Sequence, residues 1–183
     1  MKQKIKFGAF CLAILFSLEP FLTYAQTDIE KMNASELAIY WLNKNCDNGE
    51  EEMVFKNIKR LATEIEPILI RAYQNGPDPQ QISLLEKNAT ARFEMIQTAL
   101  KSGQTFGLSK DELDLARKQT LAEFLANEKK NYINSFKSQA IIAFAFTAGP
   151  EAKAILDREA KNEKSEFNNT ARYAQKKLLE IKQ

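Results

Sequence analysis

From about residue 33 onward, apolar positions recur every three or four places, and no window alternates strictly between apolar and polar. That period predicts helices throughout and no strand. The first helix starts at Asn33, whose side chain can accept a backbone N–H while Glu36 reaches back. It buries Leu37, Ala38 and Trp41, and its connection ends at Gly49. A second helix rises from the acidic run Glu50 to Glu52 and carries Val54, Ile58, Leu61 and Ile65 on one side. Pro67 is expected to break or kink it, leaving Ile68 to Tyr73 as a separate or bent segment that stops at Gly76-Pro77.

Asp78-Pro79 is the next start, a cap residue with proline at the first helical position. Ile82, Leu85, Ala89, Phe93, Ile96 and Leu100 then fall on one face. Gly103 and Gly107 bound a polar hinge. Ser109 to Glu112 forms a capping box that opens a helix from Lys110 to about Ala126. The polar run Asn127 to Asn131 reads equally as a turn or as a solvated stretch of helix. Ile133 to Ala148 is apolar on all sides around Ile141 to Phe146, as a helix surrounded by others would be. Gly149-Pro150 closes it and opens a helix with Ala152, Ile155 and Leu156 inward, to about Lys161. A last helix from about Glu166 lines up Phe167, Ala171, Ala174, Leu178 and Ile181.

Short fragments recur along this series. Thr90-Ala91-Arg92-Phe93 returns as Thr170-Ala171-Arg172-Tyr173, Leu115-Ala116-Arg117 echoes its centre, and Gly76-Pro77-Asp78 matches Gly149-Pro150-Glu151. The stretch Thr170 to Leu178 resembles the second helix of HEAT-like α-solenoid repeats, and Ala148 to Ala152 looks like their inter-repeat turn, over residues 76–183. The resemblance implies antiparallel helix pairs stacked in chain order, with Arg92, Arg117 and Arg172 at equivalent places as donors for an acidic partner. Spacing departs from a strict repeat, since Gly76 precedes Thr90 by 14 residues and Gly149 precedes Thr170 by 21. A non-repetitive helical bundle is the alternative.

The amino terminus adds an address. Lys2, Lys4 and Lys6 precede the apolar run Phe7 to Leu18, and Thr23-Tyr24-Ala25 offers a small-residue peptidase site, so cleavage is expected between Ala25 and Gln26. A single helical domain over residues 26–183 would then be exported to a periplasmic or extracellular space. Glu19 and Pro20 interrupt the apolar run short of the ~20 residues a spanning helix needs, so no membrane attachment is expected after cleavage. An uncut leader would instead give an envelope-anchored structural protein. Of the 26 Lys and Arg and 24 Asp and Glu, three and one lie in the leader, which leaves 23 of each. A neutral domain lacks the basic excess of nucleic-acid binding. Cys46 alone survives processing, either as a buried thiol or as an interchain bridge making a homodimer.

Candidate chemistry is narrowed by the absence of histidine anywhere in the chain. Ser-His-Asp and Cys-His mechanisms are excluded, and no glycine-rich phosphate loop or metal-ligand spacing can be written through the sequence. No cofactor is expected. Carboxylates remain, in Glu50 to Glu52, Glu64 with Glu66, and Asp111-Glu112-Asp114. Two of these sets occupy first helical turns, where negative charge offsets the macrodipole. The sequence therefore points to an exported, non-enzymatic helical protein that binds a protein or peptide. A hydrolase acting through two carboxylates on a cell-wall or glycan substrate is the alternative.

Overall fold

Four of the helices begin on a reciprocal cap, which is why their starts are legible and their geometry sharp. Asn33 with Glu36, Asp78 with Gln81, Ser109 with Glu112, and Thr120 with Glu123 each satisfy two backbone N–H groups that the first turn leaves open. The computed structural model describes residues 28–44 and 49–180. A 3-10 turn at Ile29–Lys31 precedes α1 (Ala34–Leu42), α2 (Glu51–Arg60), α3 (Ala62–Asn75) and α4 (Pro79–Lys101). After these come α5 (Lys110–Lys118), α6 (Leu121–Thr147), α7 (Pro150–Lys161) and α8 (Asn168–Glu180). The fold is all-α, with no strand among the described residues. The leader, the Ala25/Gln26 junction, Cys46 and Ile181 lie outside them.

Two expected boundaries move, and a stretch left open between turn and helix is helical. The break between α2 and α3 falls at Leu61 (φ −100°, ψ 19°), and Pro67 sits inside α3 as its sixth residue. The helix expected over 110–126 divides at Gln119, which is extended, because Thr120 and Glu123 form a second capping box close behind the first. Asn127 to Asn131 is helical, so α6 runs unbroken for 27 residues, about 40 Å.

That length makes α6 the hub. Its second half buries Phe136, Ala140, Ile141, Ala143, Phe144 and Ala145, and it touches α1, α2, α3, α4, α7 and α8. Trp41, 1% exposed, donates its indole N–H to the Gln139 carbonyl at 2.7 Å. Its ring meets Phe55 edge-on at 4.9 Å, and Phe55 stacks on Phe146 at 3.9 Å. Solenoid repeats contact their chain neighbours only. A central helix that reaches partners before and after it in sequence follows the bundle alternative, and this packing lends the HEAT-like reading no support.

The first half of α6 leaves this core. There α4 packs along it, α5 lies against α4, and Ala89, Leu100 and Leu113 are buried apart from the main cluster. Phe93 and Phe124 meet at 5.3 Å across α4 and α6. The result is a thin helical arm on the bundle.

Candidate functional site

Helix α3 has polar and charged residues on two sides, and a cleft opens beside each. The first, 490 Å³, lies between α3 and the start of α7 and is bordered by Thr63, Glu66, Pro67, Thr147, Gly149 and Glu151. The second, 540 Å³, lies among α1, α3 and the start of α4. Its lining is largely apolar and includes Ile39, Leu42, Ile68, Ala72 and Phe136. Arg71 lines both clefts. It is exposed, and among the described residues its guanidinium has no ion pair or hydrogen bond. Ile39 at the rim of the second cleft is 61% exposed.

The first cleft is built around a cap supplied from a distance. Gly149 opens α7 without a side chain to cap it, and the Glu66 carboxylate of α3 accepts the Gly149 N–H at 2.9 Å instead. Pro67 has no N–H, so the Thr63 carbonyl lacks its helical donor at the same wall. The buried Thr147 hydroxyl has no hydrogen-bond partner among the described residues. Glu66 and Glu151 bring two carboxylates to this cleft, and Glu66 is engaged by backbone.

A polar knot fastens α7 and α8 to α3. Glu159, buried, accepts the Ser165 hydroxyl at 2.6 Å, the Arg158 Nε–H at 3.0 Å, and the Tyr73 hydroxyl. Burial opposes ionisation of this carboxyl, but the bonds from Ser165, Tyr73 and Arg158, with the charge of Arg158, outweigh it and hold Glu159 below the usual glutamate range. Burial, then the bond to Glu159, pushes the Tyr73 phenol up. Arg158 also donates to Tyr73 Oη at 3.2 Å. Asn168 covers the last α7 carbonyls, those of Glu159 at 3.1 Å and Ala160 at 2.8 Å. These contacts describe a structural fastening, with each strong acceptor already saturated.

The three arginines singled out by the sequence are not brought to a common contact. Arg92 pairs with Glu128 and lies over the Phe124 ring, tying α4 to α6. Arg117 stands 3.7 Å from Asp114 within α5, and Arg172 donates to the Ala160 carbonyl at 3.3 Å. Of the carboxylates, Glu51, Glu52, Asp111 and Glu112 occupy first turns. Hydrogen bonds from the Ser109 side chain and backbone hold Glu112 below its ordinary range. No group of three or more metal-ligating side chains occurs among the described residues. None of their helices is long and apolar enough to cross a membrane.

Sequence reasoning passed over Arg71, and it counted Glu66 among the candidate carboxylates without its tie to Gly149. Each left a trace: Arg71 has no acidic residue three or four places away on its helix, and Gly149-Pro150 starts a helix with no cap of its own. Neither trace says what lies across the gap. No protein family, curated protein or solved structure matches this chain.

Proposed function

We propose that this chain is an exported, non-enzymatic helical protein that binds another protein or peptide through the cleft of α1, α3 and α4. The observation that carries the reading is the exposed Arg71 guanidinium, without a partner among the described residues, beside an apolar cleft rimmed by Ile39. A segment with an apolar side chain next to a carboxylate fits both features, since guanidinium suits bidentate recognition of carboxylate. The test is selection from a random peptide display library on the immobilised mature protein. Enriched sequences should place Asp, Glu or a terminal carboxylate beside a large apolar residue, and Arg71→Glu should abolish their capture. Selection that yields no consensus, or a consensus that Arg71→Glu leaves bound, overturns this site. Export is tested separately by mass spectrometry of the mature protein, expected to begin at Gln26.

The carboxylate-hydrolase alternative has Glu66 and Glu151 at the first cleft on its side. Loss of glycan-cleaving activity in both Glu66→Gln and Glu151→Gln would favour it, and the absence of such activity in the parent chain would remove it.

A further inference from the structure

Helix α4 is amphipathic twice over. One stripe, including Ala89, Phe93 and Leu100, turns inward on the arm, where Phe93 meets Phe124 of α6. On the opposite side stand Leu84, Ala91 and Met95, within about 40° of one another at 100° per residue. Leu84 is 60% and Met95 51% exposed. Asn88 and Thr98 continue this outer stripe, which contains no charge. Lys87 and Glu94 border it on a single flank, about 20° apart around the helix, exposed and in no ion pair among the described residues. Two other charges of α4 are engaged, Arg92 with Glu128 and Glu86 with Lys129, both across to α6, and Lys101 stands at the last residue of the helix.

We infer that this outer face binds a second copy of the same chain, with the two α4 helices antiparallel. The argument is self-complementarity. A two-fold interface requires that if one residue meets another on the partner, the second meets the first. The midpoint between Leu84 and Met95 and the midpoint between Lys87 and Glu94 both fall within a residue of Thr90. A two-fold axis at that level sets each Leu84 beside a partner Met95, and each Lys87 beside a partner Glu94, in the same act. Ala91, near the axis, lets the backbones approach. A parallel pairing would carry this flank and its copy to opposite sides of the seam, so the lysine–glutamate pairs could not form. A single helix pair covers less than a standard interface, so the dimer is weak, with a dissociation constant on the order of 100 μM.

Sedimentation equilibrium of the full mature chain, in a Cys46→Ser background to remove any thiol bridge, tests this. The parent should show a monomer–dimer equilibrium that weakens with salt. Lys87→Glu alone and Glu94→Lys alone should each weaken it about tenfold, and the double exchange should restore it, since it rebuilds the pairs with their signs reversed. Leu84→Ser should abolish it. Leu84, Lys87 and Glu94 are all exposed, and circular dichroism of each variant should match the parent. A strictly monomeric parent up to about 1 mM, given the affinity expected of so small a contact, overturns the inference. So does a dimer that the single charge reversals leave intact, or a double exchange that fails to recover association.

Discussion

The Glu66 carboxylate occupies the space where a Cβ on residue 149 would stand, and it accepts the Gly149 N–H at 2.9 Å. Glycine is required there by this approach, since its φ of −70° is open to any residue. Gly149→Ala would drive the carboxylate aside, and because that is the free end of a flexible side chain the cost is the lost bond, about 1.5 kcal/mol for a charged acceptor. Glu66→Ala should cost much the same. The double variant should lose little more than either alone in urea denaturation, since one bond can be lost once. Additive losses would show that the two residues act separately.

One residue earlier the logic inverts. Ala148 ends α6 in the left-handed region, φ 55° and ψ 19°, which a side chain disfavours by roughly 1 kcal/mol. Ala148→Gly should therefore raise the urea midpoint with unchanged slope, while its neighbour's change in the opposite sense lowers it. A destabilised Ala148→Gly would mean that the Ala148 methyl contributes packing that outweighs the strain.

The contrast explains what the chain reveals of itself. Helix starts with a cap and its partner three residues apart are local, and the pairs at Asn33, Asp78 and Ser109 are readable by eye. The pair at Thr120 and Glu123 is equally local, but the apolar period continues through it and masks the break. The inward stripe of α4 was visible for the same reason. What could not be read was anything spanning elements: Glu66 reaching 83 residues forward to Gly149, Tyr132 bonding Asn43 at 2.8 Å, and α6 as the common neighbour of six helices. The binding cleft is of this kind, because Ile39, Arg71 and Asp78 come together only when three helices pack.

Acid should act through Glu159. Folding lowers its pKa below the ordinary 4.5, so the folded chain holds this proton less tightly than the unfolded one. The stabilisation is complete above that value and is lost as pH falls through the folded value. Glu112 and Glu123, held down by their caps at Ser109 and Thr120, shift stability the same way. Glu159→Gln should lower stability at neutral pH and flatten the decline below pH 4.5 in thermal melts. Ser165→Ala, which removes the 2.6 Å donor, should cost roughly 1.5 kcal/mol at pH 7 and steepen nothing. An acid limb as steep in Glu159→Gln as in the parent would assign it to other carboxylates.

Pro67 offers the opposite lever. It is exposed, sits sixth in α3, and leaves the Thr63 carbonyl without its helical donor. Interior proline costs ~3 kcal/mol relative to alanine, but so near the helix start part of that is relieved, and proline also restricts the unfolded chain by up to ~1 kcal/mol. Pro67→Ala should therefore stabilise the fold by about 1 kcal/mol, read as a higher urea midpoint at constant slope. Because Pro67 borders the first cleft, the same variant separates the two readings of function. Peptide capture through Arg71 depends on the second cleft and should be unchanged. A loss of stability instead would show that the proline ring is what holds α3 apart from α2 at Leu61, where the two helices would otherwise merge.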